Sequence, residues 1–286
     1  MSLELHNACL YGWRNRHLYA NGERVYPPKG HPFDFKHFDR IYAFYSALIP
    51  ELDYSKIFTR IENDNYEIYT LKNRLGYNNF KITLTYAKPY KHIDNAGNKC
   101  IYIEHAYKND SWNRNFKILD CRMNSSESYV DRNYHATNAP QFLNTKPNHA
   151  LLTFTFKFYK ENDAVDKERK MLFFKQKFWI TNQGYYEASM SSPSDFDLAV
   201  KLSEFNADDK FITIIMTTNK IHIYLDGVLA FEKEISREIE TFRIINQANT
   251  SILLYEAMTY TTAHLSSTEI EQMKLDVFSR INSQLK

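Results

Sequence analysis

Glycine is scarce in this chain, seven among 286 residues. No glycine-rich loop of the kind that cradles a phosphate occurs, which argues against a nucleotide-binding fold. No Gly-x-Ser-x-Gly nucleophile elbow occurs either. Cysteine is nearly as rare. Cys9, Cys100 and Cys121 are an odd number without metal-ligand spacing, so we expect free thiols in a protein made in a reducing compartment. An excess of one charge is also missing. Lys and Arg number 36 against 34 Asp and Glu, for a net charge of +2, which gives no basic footprint for nucleic acid or a membrane surface. No window reaches the roughly 18 apolar residues of a membrane span. The opening Met1-Ser2-Leu3-Glu4-Leu5-His6-Asn7 has no basic stretch leading into an apolar one, so no signal peptide is expected.

What the chain does have is apolar and aromatic mass. Hydrophobic residues make up 43% and aromatics 15%, which places it among globular proteins with a sizeable core, as one large domain or two small ones. Tyr (21) and Phe (20) dominate the aromatics and suit a sheet protein. The same Asn, Lys, Tyr, Phe and Ile enrichment is also what an AT-rich genome produces.

The strongest local signal is Lys220-Ile221-His222-Ile223-Tyr224-Leu225-Asp226-Gly227-Val228-Leu229-Ala230-Phe231-Glu232. Ile221, Ile223 and Leu225 alternate with His222 and Tyr224, the period of a strand. Asp226-Gly227 fits a type I′ turn, whose two central residues need positive φ. Other signals precede it. Tyr19 to Tyr26 reads as a hairpin around Asn21-Gly22. Phe35, Phe38, Ile41, Tyr42, Tyr45, Leu48 and Ile49 recur at helical spacing and predict a helix over 34–49, stopped by Pro50. Ile57 to Leu71 is compatible with strands or a short helix. Phe80, Ile82, Leu84 and Tyr86 line one face of a strand. Asn95-Ala96-Gly97-Asn98 turns the chain into Ile101-Tyr102-Ile103, and residues 116–121 form a further strand. Residues 124–148, rich in Asn, Ser, Thr and Pro, read as a long loop.

From Leu151 onward strands recur at short intervals, which implies a sandwich or barrel. Leu152, Phe154, Phe156 and Phe158 alternate with Thr153, Thr155 and Lys157. Residues 171–174, 178–180, 211–216, 241–245 and 251–255 carry the others. The chain closes on a helix. Ser266-Ser267-Thr268-Glu269 is a capping box, and Ile270, Met273, Val277, Phe278 and Ile281 then fall on one face.

Three of these signatures, in this order, carry a resemblance. They are the aromatic strand Ala150 to Phe158, the Tyr224-Leu225-Asp226-Gly227 hairpin, and Leu265-Ser266-Ser267-Thr268-Glu269-Ile270 after the strand Leu254 to Tyr260. Together they resemble the concanavalin A-like lectin/glucanase superfamily in its laminin-G-like form. The segment Thr250-Ser251-Ile252-Leu253 departs from it, lacking a usual glycine. The resemblance implies an all-β, laminin-G-like jelly-roll sandwich over residues 76–286 with a C-terminal helix. Residues 1–75 would form an N-terminal extension, hairpin plus one helix, as a docking segment.

The superfamily's glucanases use alternating strand carboxylates as nucleophile and acid. The nearest match, Glu161-Asn162-Asp163-Ala164-Val165-Asp166-Lys167-Glu168, has Asp166 where a Glu belongs and reads as a charged hairpin tip, so no catalytic residue is assigned. His31, His37, His135 and His149 lack metal-site spacing, and no metal or cofactor is assigned. Calcium is the alternative, through Asn124, Asp131, Asn133 and Asn138, as laminin-G-like modules often hold it by loop oxygens. Sugars stack on rings and bond to amides and charges. Trp112, Asn113 and Arg114, with Trp179, Asn182, Tyr185 and Tyr186, supply that mixture and are the ligand-binding candidates. Asp226 is assigned to the turn alone.

The expected function is a non-catalytic binding or structural module of a virion, in a bacteriophage tail, baseplate or fibre. Its expected partners are other virion proteins, cell-surface glycan and further copies of the chain, with no nucleic acid or membrane partner. It would assemble into the virion after synthesis in the cytoplasm. The alternatives are a purely structural assembly protein and a polysaccharide hydrolase.

Overall fold

The alternation puts Leu152, Phe154, Phe156 and Phe158 on one face of a strand, and these side chains must be covered. The computed structural model shows what covers them. It describes residues 18–20, 23–26, 36–37, 40–48, 58–63, 66–71, 80–84, 89–103, 116–121, 150–159, 170–174, 178–188, 199–217, 219–235, 242–246, 250–262 and 264–286. In chain order the strands are β1 (Leu18–Ala20), β2 (Glu23–Tyr26), β3 (Ile41–Ser46), β4 (Phe58–Asn63), β5 (Tyr66–Leu71), β6 (Phe80–Leu84), β7 (Pro89–Ile93), β8 (Lys99–Ile103), β9 (Phe116–Cys121) and β10 (Ala150–Tyr159). They continue as β11 (Lys170–Phe174), β12 (Phe178–Thr181), β13 (Gly184–Ala188), β14 (Ala199–Glu204), β15 (Ile212–Met216), β16 (Lys220–Leu225), β17 (Val228–Glu234), β18 (Phe242–Asn246) and β19 (Ser251–Thr261). Helix α1 (Ser267–Gln284) follows.

Among the described residues the fold is all-β apart from that helix. Among the described residues, β1 and β2 form a small ribbon and the rest form two antiparallel sheets. The eight-stranded sheet runs β17-β16-β15-β10-β19-β8-β7, and β3 also pairs with β19. The nine-stranded sheet runs β14-β13-β12-β11-β18-β9-β6-β5-β4. Residues before position 76 thus contribute strands to both sheets, and β5 pairs directly with β6.

The helix expected over 34–49 does not form across 41–46, where the chain is strand β3. Long β19 explains this. One of its edges is filled by β10 along ten residues; the other is shared by β8, opposite Ile252–Leu254, and β3, opposite Glu256–Tyr260. A segment rich in Ile, Tyr and Phe completes that ladder, and tertiary pairing overrides the helical spacing. Positions 34–35, 38–39 and 49 of the expected helix lie outside the described residues. The ambiguous 57–71 stretch is the β4–β5 hairpin, and the long loop 124–148 lies outside the described residues.

The even residues of β10 (Leu152, Phe154, Phe156, Phe158) point between the sheets with Ile212 and Ile214 of β15 and Ile221 and Ile223 of β16, all buried. The sheets meet where Tyr185 stacks on Phe231, ring centroids 4.4 Å apart. The opposite face of the eight-stranded sheet carries Leu151, Ile215, Tyr224, Leu253, Met258 and Tyr260, against which α1 lays Met273, Val277 and Ile281. The capping box forms as its spacing predicts. The Glu269 amide donates to Ser266 Oγ at 3.3 Å, and the Ser266 amide donates to the Glu269 carboxylate at 2.7 Å. No helix among the described residues is long and apolar enough to cross a membrane.

Asp226 (φ 46°) and Gly227 (φ 81°) both take positive φ, as a type I′ turn requires. Asp226 also does more than turn the chain. Its carboxylate accepts from the Phe211 amide at 2.9 Å, and its own amide donates to the Phe211 carbonyl at 2.9 Å, tying the hairpin tip to the start of β15.

Candidate functional site

The proposed ligand residues meet the physics of strand alternation. Trp179 of β12 stands opposite Tyr186 of β13, with rings 6.5 Å apart and nearly parallel at 6°. Both lie on the face of the nine-stranded sheet that points away from its partner sheet. Lys201 of β14 continues the row, its ammonium 5.8 Å from the Tyr186 ring centroid. Glu204 holds that ammonium at 3.4 Å.

Tyr185 belongs to the other face. Neighbouring residues in a strand point to opposite sides, so Tyr185 lies between the sheets, 2% exposed, stacked on Phe178 at 5.3 Å and on Phe231. Burial, and then the Glu187 carboxylate, push its hydroxyl well above the ordinary phenol range. Asn182 sits in the β12–β13 turn, buried, its amide donating to the Asp208 carboxylate at 3.1 Å and its carbonyl accepting from the Ala207 amide at 2.8 Å. Trp179 is itself only 3% exposed. Trp179, Asn182 and Tyr185 are thus packed side chains, and Tyr186 with Lys201 lies nearer the surface. Trp112, Asn113 and Arg114 lie outside the described residues, as do the Glu161–Glu168 cluster and Asn124, Asp131, Asn133 and Asn138. Among the described residues no three His, Cys, Asp or Glu side chains gather to hold a metal ion.

Sequence reasoning missed the polar layer between α1 and the eight-stranded sheet. Glu256 of β19 is fully buried and receives both terminal nitrogens of Arg280 from α1, one at 2.9 Å, together with the Ser46 hydroxyl of β3 at 2.8 Å. The paired carboxylate and the Tyr260 hydroxyl outweigh burial and hold the Arg280 guanidinium above its ordinary range. Farther along the helix, Lys274 Nζ lies 3.1 Å from His222 Nε2 and bonds to Glu271, while Glu232 Oε2 approaches the same His222 nitrogen at 2.9 Å.

A third knot closes the C-terminus. Asp94 accepts from the amides of Ala96 and Asn98, from the Asn98 side chain and from the Tyr255 hydroxyl at 2.8 Å. Tyr255 reaches it because a β-bulge in β19 doubles up residues there, re-aiming the ring. Burial raises the Asp94 carboxyl, but bonds from Asn98 and Tyr255 and the charge of Lys157 outweigh it, so its value is lowered. Nearby Cys100 is buried, and its thiol is pushed up to about 12 by burial, the Asp94 charge adding. His37 bonds to Asp276 of α1 at 2.8 Å rather than to any metal-like cluster.

A composition signal hinted at none of this. His222 sits on the polar side of the sequence alternation, and only the α1 packing reveals that this side is buried too.

No family model matches the chain, and no curated protein does. Among solved structures it is similar to Trypanosoma rangeli sialidase in complex with 2,3-difluoro-KDN: TM-score 0.43, 10% identity, 94% of this chain and 38% of that one. It is also similar to the binding domain of botulinum neurotoxin DC in complex with SialylT, with TM-score 0.37, 13% identity, and 81% and 51% of the two chains. The binding domain of Paraclostridial Mosquitocidal Protein 1 gives TM-score 0.38 and 13% identity over 76% and 51%. This chain spans about half or less of those lengths. Likenesses of this size leave its function to be argued from its own residues.

Proposed function

We propose that the chain is a non-catalytic binding and structural module, a laminin-G-like jelly-roll sandwich working in a virion, in a bacteriophage tail, baseplate or fibre. Its main contact would be edge-on, with a second copy of itself. One observation carries this reading. Of the six large hydrophobic side chains exposed among the described residues, five lie on terminal strands of the two sheets, Ile93 on β7 and the other four together on β14 and β17: Val200 and Leu202 on β14, Val228 (70% exposed) and Leu229 on β17. The Tyr185–Phe231 stack and the Lys233–Glu187 ion pair bring these edges to one side of the sandwich. Apolar terminal strands with spare backbone donors and acceptors are templates for association. The same edges carry both signs of charge, Lys201 and Lys233 against Glu204, Glu232 and Glu234, so a second copy is not repelled.

Sedimentation of the full chain tests this. Wild type should sediment as a defined oligomer, and the Leu202→Lys/Val228→Lys variant should fall to monomer with unchanged circular dichroism. A wild-type monomer at all concentrations would sink the assembly reading.

The Tyr186–Lys201 surface supports a second contact, with cell-surface glycan. A glycan array should show binding that Tyr186→Ala abolishes; silence across the array leaves the purely structural reading. Release of reducing ends from any polysaccharide by the wild-type chain would overturn the non-catalytic assignment.

A further inference from the structure

His222 is fully buried beneath α1, yet its Nε2 serves two partners with opposite demands. Lys274 Nζ, 3.1 Å away on the helix, can only donate, while Glu232 Oε2, 2.9 Å away on β17, can only accept. One imidazole nitrogen has either a lone pair or a proton, so it satisfies one of them at a time.

We propose that this nitrogen is an acid-driven switch of partner that controls how firmly the C-terminal helix is docked. In the neutral ring Nε2 accepts from Lys274 and ties α1 to the sheet. Once a proton from solvent is bound, Nε2 donates instead to Glu232, and the Lys274 ammonium faces a like charge. The tie then passes from the helix to the β16–β17 hairpin.

The surrounding charges make the two states unequal. On α1 the facing groups are Lys274 and Glu271, on β17 Glu232, and on β16 itself Lys220, whose ammonium is 3.6 Å from Glu232, and Tyr224, whose ring stacks 6.4 Å away. Ile215 of β15, directly opposite in register, brings no charge, but its backbone bonds to the ring and favours the protonated form. Two cations and two carboxylates cancel around a neutral ring, so protonation leaves one net charge at a buried position. Burial first, and then Lys274, hold the ring below its ordinary value of 6.5 against the pull of Glu232 and Glu271. The helix tie is therefore complete above that value and is lost as pH falls through the lowered one.

Two measurements on the full chain test the switch. Long-range nitrogen–proton NMR at pH 7.5 should find the His222 proton on Nδ1; a proton on Nε2 overturns the proposal. Hydrogen exchange, corrected for the intrinsic pH trend, should show α1 amides losing protection by about tenfold per unit of pH as pH falls from 6.5 toward the lowered value and then levelling off, with the centres of β10 and β19 still protected. In His222→Gln, which cannot titrate, that step should vanish; its persistence, or loss of protection across the whole chain at once, refutes the mechanism. Should His222→Gln fail to fold, Glu232→Gln decides, because weakening the acceptor must move the step to lower pH, and an unmoved step refutes it.

Discussion

Removing either member of the Glu256–Arg280 pair should cost far more than removing both. Glu256 is 0% exposed and the Arg280 side chain 11%, so each charge depends on the other for what water no longer supplies. Arg280→Met leaves the carboxylate with the Ser46 hydroxyl as its named donor. Stranding a buried charge costs about 3–5 kcal/mol. Glu256→Leu leaves the guanidinium near Gln284 Oε1 at 2.9 Å and the Tyr260 hydroxyl at 3.4 Å, together with slight solvent access, and falls at the low end, about 3 kcal/mol. The double variant replaces the pair by apolar contact. Its remaining penalty is the Ser46 hydroxyl without its acceptor, about 1 kcal/mol. The singles thus add to about 6–8 kcal/mol against about 1 for the double, a coupling of about 5 kcal/mol or more. Urea unfolding at 25 °C and neutral pH measures all four proteins, with the m-value expected to stay constant. Should a single variant be unfolded outright while the double folds, the same inequality is shown. A double variant whose loss equals the sum of the singles would refute the argument.

Asp94→Asn should destabilise by about 1–3 kcal/mol at neutral pH, because one amide cannot replace a carboxylate that accepts on both oxygens. Asp94 is lowered from 3.8, so its contribution is complete above 3.8 and fades as pH falls through the folded value; the gap between wild type and variant in urea should narrow as pH falls below 3.8. A gap that widens with acid contradicts this. Gly227→Ala should lower the melting temperature through a backbone cost of about 1–2 kcal/mol at φ 81°. Its new Cβ would also stand 2.5 Å from Asn282 Oδ1, so adding Asn282→Ala should recover only that contact part. Full recovery would mean the turn tolerates a side chain.

The local elements were legible because their causes are local. The I′ turn at Asp226-Gly227, the β10 alternation and the Ser266–Glu269 box each depend on residues within a few positions of one another. Strand β3 was misread because the spacing of Ile41, Tyr42, Tyr45 and Leu48 also fits a helix, and only the free half of the β19 edge decides between them. The faces on which the binding candidates lie were illegible for a similar reason. Proximity in sequence put Tyr185 beside Tyr186, while the pleat sent them to opposite faces.

The amino-acid sequence by itself determined that this chain is built of antiparallel strands closed by a capped helix, since periodicity, turn residues and caps act over a few residues. Tertiary structure alone decided which polar residues are buried. Ser46 meets Glu256 across 210 positions and Lys274 meets His222 across 52. Burial is set by what covers a face, and the cover comes from distant parts of the chain. That is why His222, a polar residue in an exposed-looking alternation, ends as the fully enclosed centre of the helix contact.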